Sequence, residues 1–255
     1  MIKGIDISHW QGKVDFPTVK NQGFDFVMIR AAAGNKNGIL YLDNMFETYY
    51  QAAKASGMNV GVYFYASGLF HVAGRGRKEA EYFYNAIKGK TFEYPVALDI
   101  ECSPADYNTA TTQNAIDFCE YLENLGYYVV IYASDISGFK SRLNLASLSA
   151  YDKWVARYNT SGPQIVQDWG IWQYGGSTNY LANVKVQGVE SAACDQNYSR
   201  KDYATIIKNA GLNGFKNSAV KLYKFVSGYV TKGDLESYIE LAEKQGVPYT
   251  AEEVV

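Results

Sequence analysis

Cysteine, histidine and net charge are all scarce in this chain. Its 255 residues include three cysteines and two histidines, and 24 Lys and Arg stand against 26 Asp and Glu, a net charge of −2. Cys102, Cys119 and Cys194 are an odd number without metal-type spacing, so buried free thiols are expected. A Cys102–Cys119 contact stays open, because both belong to one strand–helix unit. His9 and His71 lie in separate segments, which leaves no paired imidazole ligands for a metal. The charge balance and a pI near 5.8 argue against a nucleic-acid groove and against polybasic membrane contact. No apolar run approaches the length that inserts across a membrane. No Gly-rich phosphate loop, internal repeat or low-complexity tract occurs. No signal peptide is visible, since the strand pattern Ile2 to Ser8 begins almost at Met1, so the chain is expected to work in the cytoplasm or to leave by another route.

What the chain has in quantity is tyrosine, 23 residues, with aromatics at 15%. Aromatic faces stack on sugar rings and the hydroxyl adds a polar handle, although many tyrosines serve only a core or a surface. The length suits one large domain, or one domain with a small appendage, and easily buries a core.

The segment Tyr94-Pro95-Val96-Ala97-Leu98-Asp99-Ile100-Glu101 is the most informative. It is short and apolar and reads as a buried strand. Asp99 and Glu101, two apart, then face one side. Burial and mutual repulsion push the pKa values of such a pair apart. That suits a general acid beside an ionised carboxylate, the chemistry of glycoside hydrolysis. Half of a metal site or ordinary salt bridges would use the same two residues.

Seven further runs read as strands: Ile2–Ser8, Phe24–Ala31, Asn59–Ala66, Tyr127–Tyr132, Lys153–Tyr158, Trp169–Tyr174 and Glu190–Asn197. Helical patterns over Leu42–Ser56, Ala73–Lys88 and Thr111–Leu125 separate the early ones, and Gly57 and Gly126 stop two of them. Strands alternating with helices imply βαβ units and a parallel sheet, and eight strands suggest a closed barrel. Thr160–Asp168 and Gly175–Gly188 read as loops, so the fold class expected is α/β, an irregular or incomplete (β/α)8 TIM-like barrel whose last helices are missing or degenerate. Sites of such barrels form at the strand C-terminal ends. Asp6, Arg30, Tyr63, Tyr65, Asp99, Glu101, Tyr132, Tyr158, Gln173 and Asp195 lie there. Cys102 and Cys194 each adjoin a carboxylate, and strand alternation would turn both thiols away from the site.

After about Asn213 the pattern changes. Asn213–Ser218 looks like a linker, followed by a strand-like run, Val220–Val230, and an amphipathic helix, Gly233–Gln245. The expected organisation is a barrel over 1–213 and a small C-terminal appendage over 214–255.

Several motifs in order resemble the glycoside hydrolase family 25 muramidases, the Chalaropsis-type lysozymes found in phage endolysins and autolysins. Gly4-Ile5-Asp6-Ile7-Ser8-His9-Trp10-Gln11-Gly12 is similar to the family's first strand. Phe26–Ala31, Gly61–Ala66 and Ala97–Glu101 resemble its second, third and acidic strands, and Ile171–Tyr174 and Cys194–Asn197 its closing motifs. The match runs from Met1 to about Leu212. It departs at Arg30, where many members carry Lys.

The resemblance implies hydrolysis of the β-1,4 bond between N-acetylmuramic acid and N-acetylglucosamine in bacterial peptidoglycan, with Glu101 as general acid/base. Asp6, Asp99 and Asp195 surround it, Tyr63, Tyr65 and Tyr132 line the sugar groove, and Arg30 is carried over as substrate-binding. A substrate-assisted retaining route is expected, with Asp99 ionised and orienting the N-acetyl group, and neither metal nor cofactor is required. Phage origin would fit a protein made in the host cytoplasm and released to the wall by a holin. The appendage is expected to target the cell wall and to make a homo-oligomer. Two other readings remain: a non-catalytic glycan-binding barrel, and a metal-dependent barrel hydrolase.

Overall fold

Alternation along the strands builds the molecule. In β2 (Phe26–Gly34) every residue is buried, because its two faces meet two different apolar layers. Phe26 and Met28 point inward and pack with Tyr63, Ala97, Val130, Trp154 and Ile171. Val27, Ile29 and Ala31 point outward, toward the helices, with Val62, Leu98 and Ile131. Each Val, Leu, Ile, Phe or Met among them, fully buried, is worth roughly 1.5–3 kcal/mol of transfer free energy.

The structure is a computed structural model, and it describes residues 1–176, 185–216 and Glu236. The chain divides into two units, Met1–Ser218 and Ala219–Val255, and every element named below belongs to the first. β1 (Ile2–Ile7) pairs with β2 in parallel and with β9 (Asp195–Ser199) antiparallel. Between them run β4 (Asn59–Tyr65), β5 (Val96–Asp99), β6 (Val129–Ser134), β7 (Asp152–Ala156) and β8 (Ile171–Gly175). These eight close a ring, the irregular α/β barrel expected from the alternation. β3 (Leu40–Leu42) hangs antiparallel on β2 outside the ring. It takes Leu42, the first residue of an expected helix, and α2 begins only at Phe46 and ends at Ala55.

α1 (Phe16–Asn21), α2, α3 (Arg75–Ile87) and α4 (Asn108–Glu123) cover the outer face. α3 and α4 touch closely at Gly76, where a Cβ would collide with the Asn114 carbonyl. The Gly76 N–H donates to Asn114 Oδ1 at 3.0 Å. Beyond β6 the cover degenerates to a π-helical segment, Asp135–Arg142, and a short turn, Leu145–Leu148.

Two findings correct the expectation. The last strand is antiparallel to both neighbours, not parallel. The chain therefore leaves β9 at the bottom of the barrel, and α5 (Tyr203–Ala210) plugs that end with Tyr203 and Ile207 in the inner cluster. Asn213 is not linker but a fully buried clasp. Its Nδ2 donates to the Phe92 and Tyr94 carbonyls at 3.2 and 2.9 Å, and its Oδ1 accepts the Tyr128 N–H at 2.7 Å. Phe215 packs on the inner cluster as well. The strand and helix expected over 220–245 lie outside the described residues, Glu236 excepted.

Candidate active site

Ring closure brings four carboxylates to the mouth. Asp6 sits one residue from the end of β1 and lies directly opposite Asp195 across the sheet. Asp195 is the first residue of β9, not near the end of a parallel strand. Because that strand runs downward, its beginning faces the same mouth as the ends of the others. Asp99 ends β5, between Tyr65 on β4 and Tyr132 on β6. Glu101 follows just past the strand and stays open to solvent at the rim. All four line one well of about 200 Å³. A second cavity, about 550 Å³, adjoins it and shares Glu101 and Tyr132 with it. Glu101 thus stands at the junction of the two.

The floor of the well is an ordered chain of hydrogen bonds. Trp154 Nε1, which can only donate, donates to Asn197 Oδ1 at 2.8 Å. That turns the amide nitrogen of Asn197 to Asp6, and Nδ2 donates to Oδ2 at 2.8 Å. Gln173 Nε2 donates to the same oxygen at 3.0 Å. Gln173 Oε1 in turn accepts the hydroxyls of Tyr132 at 2.9 Å and Tyr158 at 3.0 Å. Asp6 is therefore held as an acceptor.

The carboxylates raise one another. Burial, moderated by hydrogen bonds from Asn197 and Gln173 and reinforced by Glu101, brings Asp6 to about 6. Burial, then Asp6 and Glu101, bring Asp195 to about 8. Asp99 is pushed well above the carboxylate range, first by burial and then by Glu101 and Asp6. Glu101 is also raised by burial, against hydrogen bonding with Asp99 and the charge of Arg142. The residue keeps solvent access at the rim while its carboxyl sinks among protein atoms. Asp99 differs from the ionised group expected from the sequence: it is the deeper of the two, and one of its oxygens, Oδ1, has no hydrogen-bond partner. Among the described residues no three His, Cys, Asp or Glu are grouped as metal ligands would be.

The tyrosines lie where alternation puts them. Tyr63 is buried in the well, edge-on to Trp154, and Tyr132 stands on the wall between the cavities. Tyr65 lines the well, and its hydroxyl is 2.7 Å from Cys102 Sγ. Cys102 lies beyond the strand end, so its thiol turns toward the mouth instead of away. All three thiols are free, and Cys119 and Cys194 are buried.

Arg30 faces the well but is largely engaged. Its Nε donates to Asp43 Oδ2 at 2.9 Å and its Nη2 lies 2.6 Å from His9 Nδ1. Burial alone would raise Asp43, but amide hydrogen bonds from Met45 and His9, with Arg30, outweigh it and lower its pKa. Asp43 and His9 were not legible as site residues, because their contact depends on β3 folding back against the mouth. Asn197 was legible only as part of a motif. Trp10, exposed at the rim of the well, was likewise legible only as part of a motif, and Arg142 and Arg157, in the larger cavity, carried no sequence signal of a role.

Similarity to known proteins agrees with this geometry. The model of the glycosyl hydrolases family 25 matches residues 5–184. The autolytic lysozyme of Clostridium acetobutylicum is 32% identical over 183 residues, covering 71% of this chain and 53% of that protein. Lysozyme M1 of Streptomyces globisporus is 32% identical over 189 residues, covering 68% and 61%. The chain thus spans little more than half the length of these relatives. Among solved structures, the bacterial lysozyme of Streptomyces coelicolor superposes with a TM-score of 0.63 at 26% identity, covering 82% of this chain and 96% of that one. The CTP1L endolysin shares the fold with a TM-score of 0.68 at 22% identity, covering 100% and 84%.

Proposed function

The chain belongs to the glycosyl hydrolases family 25, and on that premise we propose that it is a muramidase, cleaving the β-1,4 bond between N-acetylmuramic acid and N-acetylglucosamine of bacterial peptidoglycan. The observation that carries this reading is the position of Glu101 at the junction of an acidic well and a larger groove. A glycosidic oxygen lying over Glu101 has one sugar in each cavity. The sugar in the well develops positive charge as the bond breaks, and Asp6, Asp99 and Asp195 face it.

Glu101 donates a proton to the leaving oxygen, which requires the raised pKa that burial provides. In the free protein Asp99 competes for that proton. Its unpartnered Oδ1 suits the N–H of the substrate's N-acetyl group. Accepting that bond favours ionised Asp99 and leaves the proton on Glu101. The oriented acetyl oxygen then attacks the anomeric carbon, and Glu101, now a base, activates water for the second step. Asp99 and Glu101 act on each other's protonation as near neighbours, whereas an inverting pair stands roughly 6.5–9.5 Å apart to admit water.

The proposal extends to an endolysin that is made in a bacterial host cytoplasm and reaches the wall after the membrane is opened. Its relatives, an autolytic lysozyme and an endolysin, support such a role. The expected appendage, cut back to the second unit, residues 219–255, is assigned to wall targeting through self-association. Cells expressing the chain should stay intact until chloroform permeabilises the membrane, and lysis without permeabilisation overturns the release step.

Digestion of purified peptidoglycan, borohydride reduction and mass spectrometry test the reaction. Muramitol at the new ends is expected, and glucosaminitol ends or no cleavage overturn the reading. Unchanged cleavage in excess EDTA is expected, and full loss would favour the metal-dependent alternative.

A further inference from the structure

The groove beside Glu101 is more than twice the volume of the well, and it is lined by two arginines, Arg142 and Arg157. A neutral sugar chain needs no cation there. The acids in the same groove neutralise the arginines only in part. Glu101 carries the catalytic proton. Asp135 is fully buried and accepts the backbone N–H groups of Gln164, Ile165 and Val166 at 2.8, 3.1 and 3.2 Å. Its approach to Arg157 Nε is 4.0 Å, at the limit of an ion pair.

Arg157 is well placed to receive an anion. Its backbone N–H donates to the Gln173 carbonyl at 3.0 Å, and its own carbonyl accepts Trp172 Nε1 at 2.7 Å. The base of the side chain is therefore fixed to the barrel. The side chain is about a third exposed, and its Nη2 makes one neutral hydrogen bond, to Gln164 Oε1 at 3.1 Å. Arg142, which also lines the groove, donates through Nε to the Ser103 carbonyl at 2.5 Å. Arginine is suited to carboxylates because its fork matches their geometry.

We propose that this groove reads a carboxylate: Arg157, with Arg142 lining the same cavity, binds the anionic branch of a muramic acid residue on the leaving-group side of the cut. The inference rests on the muramidase reading, which puts the sugar that develops charge in the well and the leaving chain in the groove. In peptidoglycan a carboxylate of this kind comes from the lactyl group of a bare strand or from the peptide stem of a substituted one.

Two matched pairs of strands test it and separate the sources. One pair is bare glycan with free lactyl carboxylates against the same glycan converted to methylamides. The other is stem-bearing glycan with free stem carboxylates against its methylamide. The wild type should prefer the charged member of at least one pair about tenfold in kcat/KM, the scale of one charge-assisted hydrogen bond. The pair that shows the preference names the source. Arg157→Gln should bring that ratio close to one, and Arg157→Lys should keep part of it. The ratio is the readout, so a general loss of activity does not imitate the result. A wild type indifferent to charge in both pairs, or a ratio unchanged in Arg157→Gln, overturns the carboxylate site. If the wild type cleaves none of the four, the muramidase reading itself fails.

Discussion

Asp99 and Glu101 are two residues apart, yet the barrel gives them different surroundings: Asp99 is closed in at a strand end and Glu101 stands at the rim. Glu101→Gln should lower kcat by about 10²–10⁴ without changing the fold, since the amide has the shape but no proton to give. A purified variant with unchanged circular dichroism and near-normal lysis would remove Glu101 from its role. Asp99→Asn should be severely impaired as well, and Asp6→Asn and Asp195→Asn less so. The raised carboxyls also make stability depend on pH. A carboxyl raised in the folded state binds its proton more tightly there than in the unfolded chain. Its stabilisation is complete below the usual value of 3.8 and is lost as pH rises through the folded value. For Asp6 that window closes at about 6, and for Asp195 at about 8. Asp43 and Asp152, both lowered, work in the opposite sense and matter only below about 4. Calorimetry should show the melting temperature falling between about pH 5 and about pH 8.5. Asp195→Asn should flatten that fall and melt above the wild type at about pH 8.5 by at least about 2 °C, a minimum that corresponds to roughly 0.5–1 kcal/mol. Equal slopes for the two proteins would contradict the assignment.

At the scale of elements, the barrel is closed below by parts that follow its last strand. α5 enters the bottom with Tyr203, whose hydroxyl donates to Asp152 at 3.1 Å. Asn213 then ties the lead-in segments of β5 and β6 together through three side-chain hydrogen bonds. Its backbone φ of 54° is one that Asn tolerates better than most residues. Asn213→Ala should cost about 2–4 kcal/mol in a urea titration, because it strands buried backbone groups that nothing else pairs. Its lytic rate at low temperature should stay normal, since the clasp is at the end of the barrel away from the mouth. A loss of activity without a loss of stability would mean that the clasp acts on the site.

The whole molecule divides after Ser218, and the clasp and Phe215 belong to the barrel side. A chain ending at Ser218 should fold, cleave soluble peptidoglycan fragments and lyse intact cells poorly. Light scattering should show a smaller species than the full chain. Ending the chain at Leu212 should instead yield a barrel that unfolds at distinctly lower urea, because the clasp is gone. If the two truncations behave alike, Asn213 does not close the barrel. If the chain ending at Ser218 is unfolded, residues after it belong to the catalytic core.

The sequence by itself determined which side chains face the interior of the ring. Period-two alternation is a local property, so Asp6, Arg30, Tyr63, Asp99 and Tyr132 were readable as one inward set before any strand was paired. The family motifs added an expected role for each. Tertiary structure alone decided how those residues are held. The bonds from Asn197 and Gln173 to Asp6 join residues 191 and 167 positions apart, and they exist only because an antiparallel last strand closes the ring. That reversal also delivers Asp195 to the mouth from the beginning of its strand. The engagement of Arg30 with Asp43 depends on β3 folding back, and the turn of Cys102 toward Tyr65 depends on β5 ending at Asp99. A pattern of apolar and polar residues specifies which face a side chain takes. The neighbours on that face come from chain segments far away in sequence, and only ring closure selects them.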